Sequence, residues 1–177
     1  TWKVAIVTGA GKGIGAAIAK AYAEAGASVV VAARTQADID ATAQAVRSAG
    51  QAALSVVTDV MQEAQLQALV DATMAQFGKI DILVNNAGYG QFGCTEDVPI
   101  DDFRKQFETN FFSVVRIVQE VAPIMRKQKS GIIVNISSVA GKMGLPGSPA
   151  YISSKFALEG LGECLRYELG MFGIKTT

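Results

Sequence analysis

The sequence predicts an α/β protein built on a doubly wound parallel sheet with helices on both faces. Two observations point to it. Short apolar runs alternate with longer amphipathic stretches along the whole chain. The runs themselves are continuous, as in Val29-Val30-Val31, Ile82-Leu83-Val84 and Ile132-Ile133-Val134, rather than alternating apolar with polar. A continuous run means that both faces of a strand are covered, which is the condition of a parallel sheet flanked by helices. Strands alternating with helices at this spacing make right-handed βαβ units.

The elements follow in order. Residues 3–8 form a Val/Ile-rich strand that stops at Gly9, and residues 13–25 form a helix that stops at Gly26. Residues 28–33 make a second strand and 36–49 a helix ended by Gly50. Residues 52–57 make a third strand and 62–77 a helix ended by Gly78, where glycine accepts the left-handed turn that closes a helix. The fourth strand spans 80–85. Residues 100–127 read as one long helix, bent near Pro123 because proline removes a helical hydrogen bond. The fifth strand covers 131–137 and the last helix 150–172.

Composition narrows the function. The chain has 177 residues, half of them hydrophobic and 18% charged, enough for one domain with a real core. Lys plus Arg equals Asp plus Glu at 16 each, so nothing suggests a nucleic-acid partner. No apolar run approaches the ~18 residues of a membrane span. Cys94 and Cys164 form no CxxC pair and read as free thiols of a reducing, cytoplasmic setting. There is no histidine. That removes every mechanism with a histidine base and argues against a metal site of the zinc type.

Thr8-Gly9-Ala10-Gly11-Lys12-Gly13-Ile14-Gly15 lies between the first strand and the first helix. A pyrophosphate needs backbone N–H donors, close approach and a helix N-terminus, and glycines at Gly9, Gly13 and Gly15 supply the approach. The loop therefore predicts a dinucleotide site that includes Lys12 and Ile14. An NAD site usually carries a carboxylate at the end of the second strand to hold the ribose 2′-OH. Here the stretch is Ala32-Ala33-Arg34-Thr35, and no carboxylate comes before Asp38. Arg34 has a planar fork suited to a 2′-phosphate, and Lys12 adds a second charge. The cofactor expected is NADP(H), with NAD(H) the alternative.

Tyr151 and Lys155 sit at i and i+4 at the start of the last helix and share a face. A free phenol has a pKa of about 10, and a neighbouring ammonium favours its phenolate. Such a pair can trade protons with a carbonyl or an alcohol. Ser138, at the end of the fifth strand, lies where open α/β sheets bind ligands, and a Gly/Pro-bearing loop joins it to Tyr151. Its hydroxyl can reach a substrate oxygen beside the tyrosine.

Taken together these motifs resemble the short-chain dehydrogenase/reductase family. Thr8-Gly9-x-x-x-Gly13-x-Gly15 matches its glycine pattern, and Asn85-Asn86-Ala87-Gly88 its motif after the fourth strand. Asn110, Ser138, Tyr151 and Lys155 match its catalytic tetrad, and Asp59-Val60 its adenine contact. The resemblance implies a Rossmann-like sheet in the order 3-2-1-4-5 with the start of a sixth strand. It implies Tyr151 as general acid in reduction and base in oxidation, with Lys155 assisting it and bonding the nicotinamide ribose. Ser138 would polarise the carbonyl. Asn110 would hold a water that links Lys155 to solvent. Asn86, Ala87 and Gly88 would line the cofactor cleft.

Members of that family continue past the point where this sequence stops, with a helical substrate cover and a further strand. The expectation is therefore a single dinucleotide-binding and catalytic domain over 1–177, incomplete at its C-terminus. The fifth strand would be left as an exposed apolar edge. The reaction expected is hydride transfer between nicotinamide and a ketone or secondary alcohol; a cofactor-binding protein without turnover, or an inactive fragment, is the alternative. Phe92, Met143 and Leu145 near the pocket suggest an apolar substrate. The resemblance implies a homodimer or homotetramer, with the two long helices pairing across a two-fold axis; their apolar residues alone could equally be core.

Overall fold

The structure, a computed structural model, describes residues 2–177. Its strands are β1 (Val4–Thr8), β2 (Ser28–Ala33), β3 (Ala53–Val57), β4 (Ile82–Asn85), β5 (Gly131–Asn135) and β6 (Ile174–Thr176). They form one sheet in the order β3-β2-β1-β4-β5-β6, and every pair is parallel. The helices are α1 (Gly13–Glu24), α2 (Gln36–Ser48), α3 (Glu63–Phe77), α4 (Ile100–Phe107), α5 (Ser113–Gln128) and α6 (Pro149–Gly170). Boundaries fall within two residues of those expected, apart from the long helix.

The continuous apolar runs do what they imply at the centre of the sheet. Along β1, Val4 and Ile6 face one side, where Leu69, Val121 and Leu158 of α3, α5 and α6 close over them. Ala5 and Val7 face the other, against Ala19 and Ala23 of α1 and Ile39 and Ala43 of α2. Each buried branched side chain contributes roughly 1.5–3 kcal/mol, so this double-sided burial is the main stabilising term.

Three expectations need correction. Residues 100–127 are not one helix bent at Pro123. α5 runs through Pro123, and the irregularity lies earlier, in a π-helical segment at Glu108–Phe112 that separates α4 from α5. Such segments cluster at functional sites, and this one carries Asn110. The fifth strand is not the sheet edge. β6 pairs with it from Gly131↔Ile174 to Ile133↔Thr176, and Asn135 N–H extends the ladder to the Thr177 carbonyl. Nor are both faces of β5 covered. Ile132, on the α1 side, is 36% exposed, because the core on that face reaches β5 only at Val134, further along the strand.

Candidate active site

The C-terminal ends of β1, β4 and β5 form the floor of the site. Thr8 joins the first two. Its hydroxyl donates to the Val84 carbonyl at 3.3 Å and accepts from the N–H groups of Asn86 and Ala87, both at 3.1 Å. Asn86 answers by donating its amide to the Thr8 and Gly9 carbonyls at 3.0 and 3.2 Å. Asn86 thus holds the base of the glycine loop, a role beyond lining the cleft. The loop needs its glycines. Gly9 has φ +64, and a Cβ there would lie 2.9 Å from the Ala87 Cα. A Cβ on Gly15 would overlap the Gly9 carbonyl. No acidic side chain occupies the first turn of α1 and no side chain caps it, so its free N–H groups keep their positive field. That arrangement fits a pyrophosphate.

A cleft of about 490 Å³ opens over this loop, lined by Gly9, Lys12, Arg34, Asp59, Val60 and Gly88 among others. Arg34 is exposed at its rim. Asp59 Oδ1 accepts from the Met61 N–H at 3.0 Å, which fixes the turn after β3 and leaves Val60 against the cleft. Asp38 also lines the cleft, and its Oδ2 pairs with the Lys12 ammonium at 3.0 Å. Reading along the strand end sets it aside, because Asp38 lies beyond that end, in the first turn of α2, and comes back beside Gly11 only in three dimensions.

A second cleft, of about 850 Å³, contains Asn86, Ser138, Tyr151 and Lys155 together, with Ile14 on its wall. Ile14 therefore faces this cleft, while its neighbours Gly9 and Lys12 face the first. Gly88 and Tyr89 line both clefts, so the two form one groove along the sheet edge. Lys155 is only 7% exposed, and its ammonium donates to the Ile136 carbonyl at 2.7 Å. It lies 5.8 Å from the centre of the Tyr151 ring. Burial pushes the lysine below its usual range, and the carboxylate of Glu159 acts in the opposite sense. Ser138 Oγ accepts from the Ala140 N–H at 3.1 Å and so caps the short turn Val139–Gly141. Its hydroxyl proton remains free to donate.

Asn110 is 1% exposed, and its side chain is fully committed. It accepts from Tyr89 N–H at 3.1 Å and donates to the Tyr89 carbonyl at 3.0 Å and to Ser154 Oγ at 3.1 Å. None of these bonds goes to Lys155, whose ammonium is bonded to Ile136. One turn earlier, the buried Gln106 holds Tyr89 and Gln91 in the same way, at 2.7 Å each. These two side chains fix the loop that links the clefts; Gln106 carries no motif that would have announced it. Among the described residues, no helix is long and apolar enough to cross a membrane.

Comparison with known proteins agrees with this geometry. The model of the short chain dehydrogenase family matches residues 3–177. The chain is 38% identical over 175 residues to the oxidoreductase BOA17 of Botryotinia fuckeliana, covering 99% of this chain and 63% of that one. Its fold superposes on the crystal structure of an NAD⁺-bound xylitol dehydrogenase with a TM-score of 0.95, at 37% identity, over 98% of this chain and 67% of the other. A gluconate 5-dehydrogenase from Burkholderia cenocepacia, crystallised with NADP and tartrate, gives 0.92 at 34% identity, over 98% and 68%. The chain thus spans about two thirds of the length of the proteins it matches.

Proposed function

The chain belongs to the short-chain dehydrogenase family, and from that we propose that it serves an oxidoreductase that moves a hydride between NADP(H) and a ketone or secondary alcohol. The observation that carries this reading is the single groove that joins the glycine loop to Ser138, Tyr151 and Lys155. The nicotinamide supplies or accepts the hydride when bound. Tyr151 gives its hydroxyl proton to the substrate oxygen in reduction and takes it back in oxidation. Ser138 donates a second hydrogen bond to that oxygen, with its own lone pair anchored by Ala140. Lys155 spends one ammonium proton on Ile136 and keeps two for a ribose hydroxyl and a proton relay. Since the Asn110 side chain is occupied by Tyr89 and Ser154, a water held at Asn110 would sit on its main-chain carbonyl.

Arg34 and Lys12 support the preference for NADP(H). Asp38 favours the second reading, NAD(H), because its carboxylate occupies Lys12. Among the described residues Lys155 is the one charged side chain on the second cleft, and Phe92, Val139 and Leu145 form an apolar rim. That supports an uncharged, largely apolar substrate. Exposed Phe156 and Tyr167 on α6, with Met171 directly after it, support a homodimer or homotetramer through that helix. Exposed, unpaired Cys94 and Cys164 support a reducing, cytoplasmic setting.

Steady-state oxidation of neutral secondary alcohols by the intact protein, with NADP⁺ and NAD⁺ in parallel, tests the proposal. Turnover with at least one class of apolar alcohol is expected. Tight cofactor binding without turnover on any alcohol or ketone would overturn it.

A further inference from the structure

Beyond Lys155, the same face of α6 carries Glu159, one turn further on. Its Oε2 meets the Lys142 ammonium at 2.7 Å. Lys142 directly follows the Val139–Gly141 turn that Ser138 caps. At Gly141 the turn is pressed against the helix so closely that a Cβ would lie 3.0 Å from Glu159 Cγ and 3.2 Å from the Lys155 carbonyl. One ion pair and one close approach therefore fix Ser138, on the sheet side, relative to Tyr151 and Lys155 on the helix.

We propose that Glu159 is a positioning residue of this site: through Lys142 it clamps the Ser138 turn onto α6, and its own charge stands beside Lys155. The inference rests on the oxidoreductase reading for its effect on turnover, but its effect on Lys155 does not. Burial disfavours the Lys155 ammonium, which donates a hydrogen bond to the Ile136 carbonyl. Glu159 is the charged group that opposes this burial. Lys142, hydrogen-bonded to it, holds the Glu159 carboxyl below its usual range, so the carboxylate is present throughout the neutral region.

Other charges around α6 do not take its place. Glu163 and Arg166, further along the helix, act on Lys142 in opposite senses. On α4, Arg104 pairs with Asp101 and Lys105 with Asp102, and Glu108 of the π segment pairs with Arg116. Lys175 of β6 is exposed. From the end of β5, Ile136 presents only its carbonyl to the lysine.

Two variants of the intact protein break the same ion pair and differ in the charge they leave. Glu159→Gln removes the carboxylate; Lys142→Gln frees it. The readout is the pH dependence of Lys155 acetylation by acetic anhydride, followed by peptide mass mapping. We expect the Lys155 midpoint to move to lower pH in Glu159→Gln and to higher pH in Lys142→Gln. A merely structural pair would loosen the turn, hydrate Lys155 and raise the midpoint in both; that result, or no movement in either, overturns the proposal. Turnover should fall about tenfold in both variants, less than the roughly hundredfold cost of a displacement of about 1 Å. Unchanged kcat in both overturns the clamp. Should a single variant fail to fold, the charge-swapped pair Lys142→Glu with Glu159→Lys keeps the clamp and puts a cation beside Lys155. Its midpoint must then drop, and a wild-type midpoint overturns the proposal. A wild-type protein inactive on every alcohol sinks the oxidoreductase reading and leaves the labelling result standing.

Discussion

The Lys12 ammonium stands 3.0 Å from Asp38 Oδ2 inside the cleft that Arg34 also lines. A 2′-phosphate on the cofactor must draw Lys12 away from that carboxylate, whereas a 2′-hydroxyl need not. Asp38→Asn is therefore expected to raise kcat/KM for NADP⁺ by about tenfold and to leave NAD⁺ the same or worse, the size of one charge-assisted hydrogen bond of about 1.5–3 kcal/mol at its lower end. Arg34→Ala should depress NADP⁺ use alone. Equal ratios of the two cofactors across wild type and variants would remove both residues from selectivity.

Tyr151→Phe keeps the ring and deletes the proton. Turnover should fall by at least about 100-fold, the low end of what a positioned acid or base contributes. Cofactor binding, read by the fluorescence of reduced nicotinamide, should persist. Retained activity would remove Tyr151 from the chemistry.

Gly15 and Gly13 separate close approach from backbone conformation. A Cβ at Gly15 would meet Asn86 Nδ2 at 2.5 Å as well as the Gly9 carbonyl, so Gly15→Ala should displace the loop and abolish cofactor binding. Gly13 has φ +59 with nothing within 4 Å of a Cβ. Gly13→Ala should therefore cost about 1–2 kcal/mol of left-handed strain, visible in urea denaturation, and retain measurable binding.

Asp81 joins the start of β1 to the start of β4. Although burial opposes its charge, the Val4 N–H at 2.9 Å and the ammonium groups of Lys79 and Lys3 hold its carboxyl below the usual range. A carboxyl depressed in the folded state contributes stability above its unfolded pKa of about 3.9 and loses it as pH falls through the native value. Asp81→Asn should cost about 1–3 kcal/mol at pH near 7 and flatten the loss of stability in acid. A variant with the acid sensitivity of the wild type would show that other carboxylates carry it.

Most of the architecture was legible because Val29–Val31 and Ile82–Val84 leave no polar face, and glycines close the helices. The π segment was not, because Glu108–Phe112 carries no local signal such as proline and its register is set by what Asn110 bonds across the molecule. Pro123 gave a false signal. β6 was foreseen only as a beginning, because three residues hold little pattern; its pairing with Gly131–Ile133 depends on β5 being already in place. At the site, Ser138, Tyr151 and Lys155 came together in one cleft as their motifs implied. Gln106 and Glu159 were invisible and Asp38 was set aside as too far along, since each matters through a partner distant in sequence.

The bonds between Thr8 and Asn86 link residues 78 positions apart. Contacts of that separation form late, after the loop-closure entropy of everything between them has been met. The glycine loop thus has no fixed base until β4 has docked beside β1, and a partly made chain carries the motif without the site. During refolding, we expect nucleotide affinity to appear with the slowest conformational phase, never ahead of it; stopped-flow fluorescence of reduced nicotinamide would show an earlier binding phase if the loop could order itself alone.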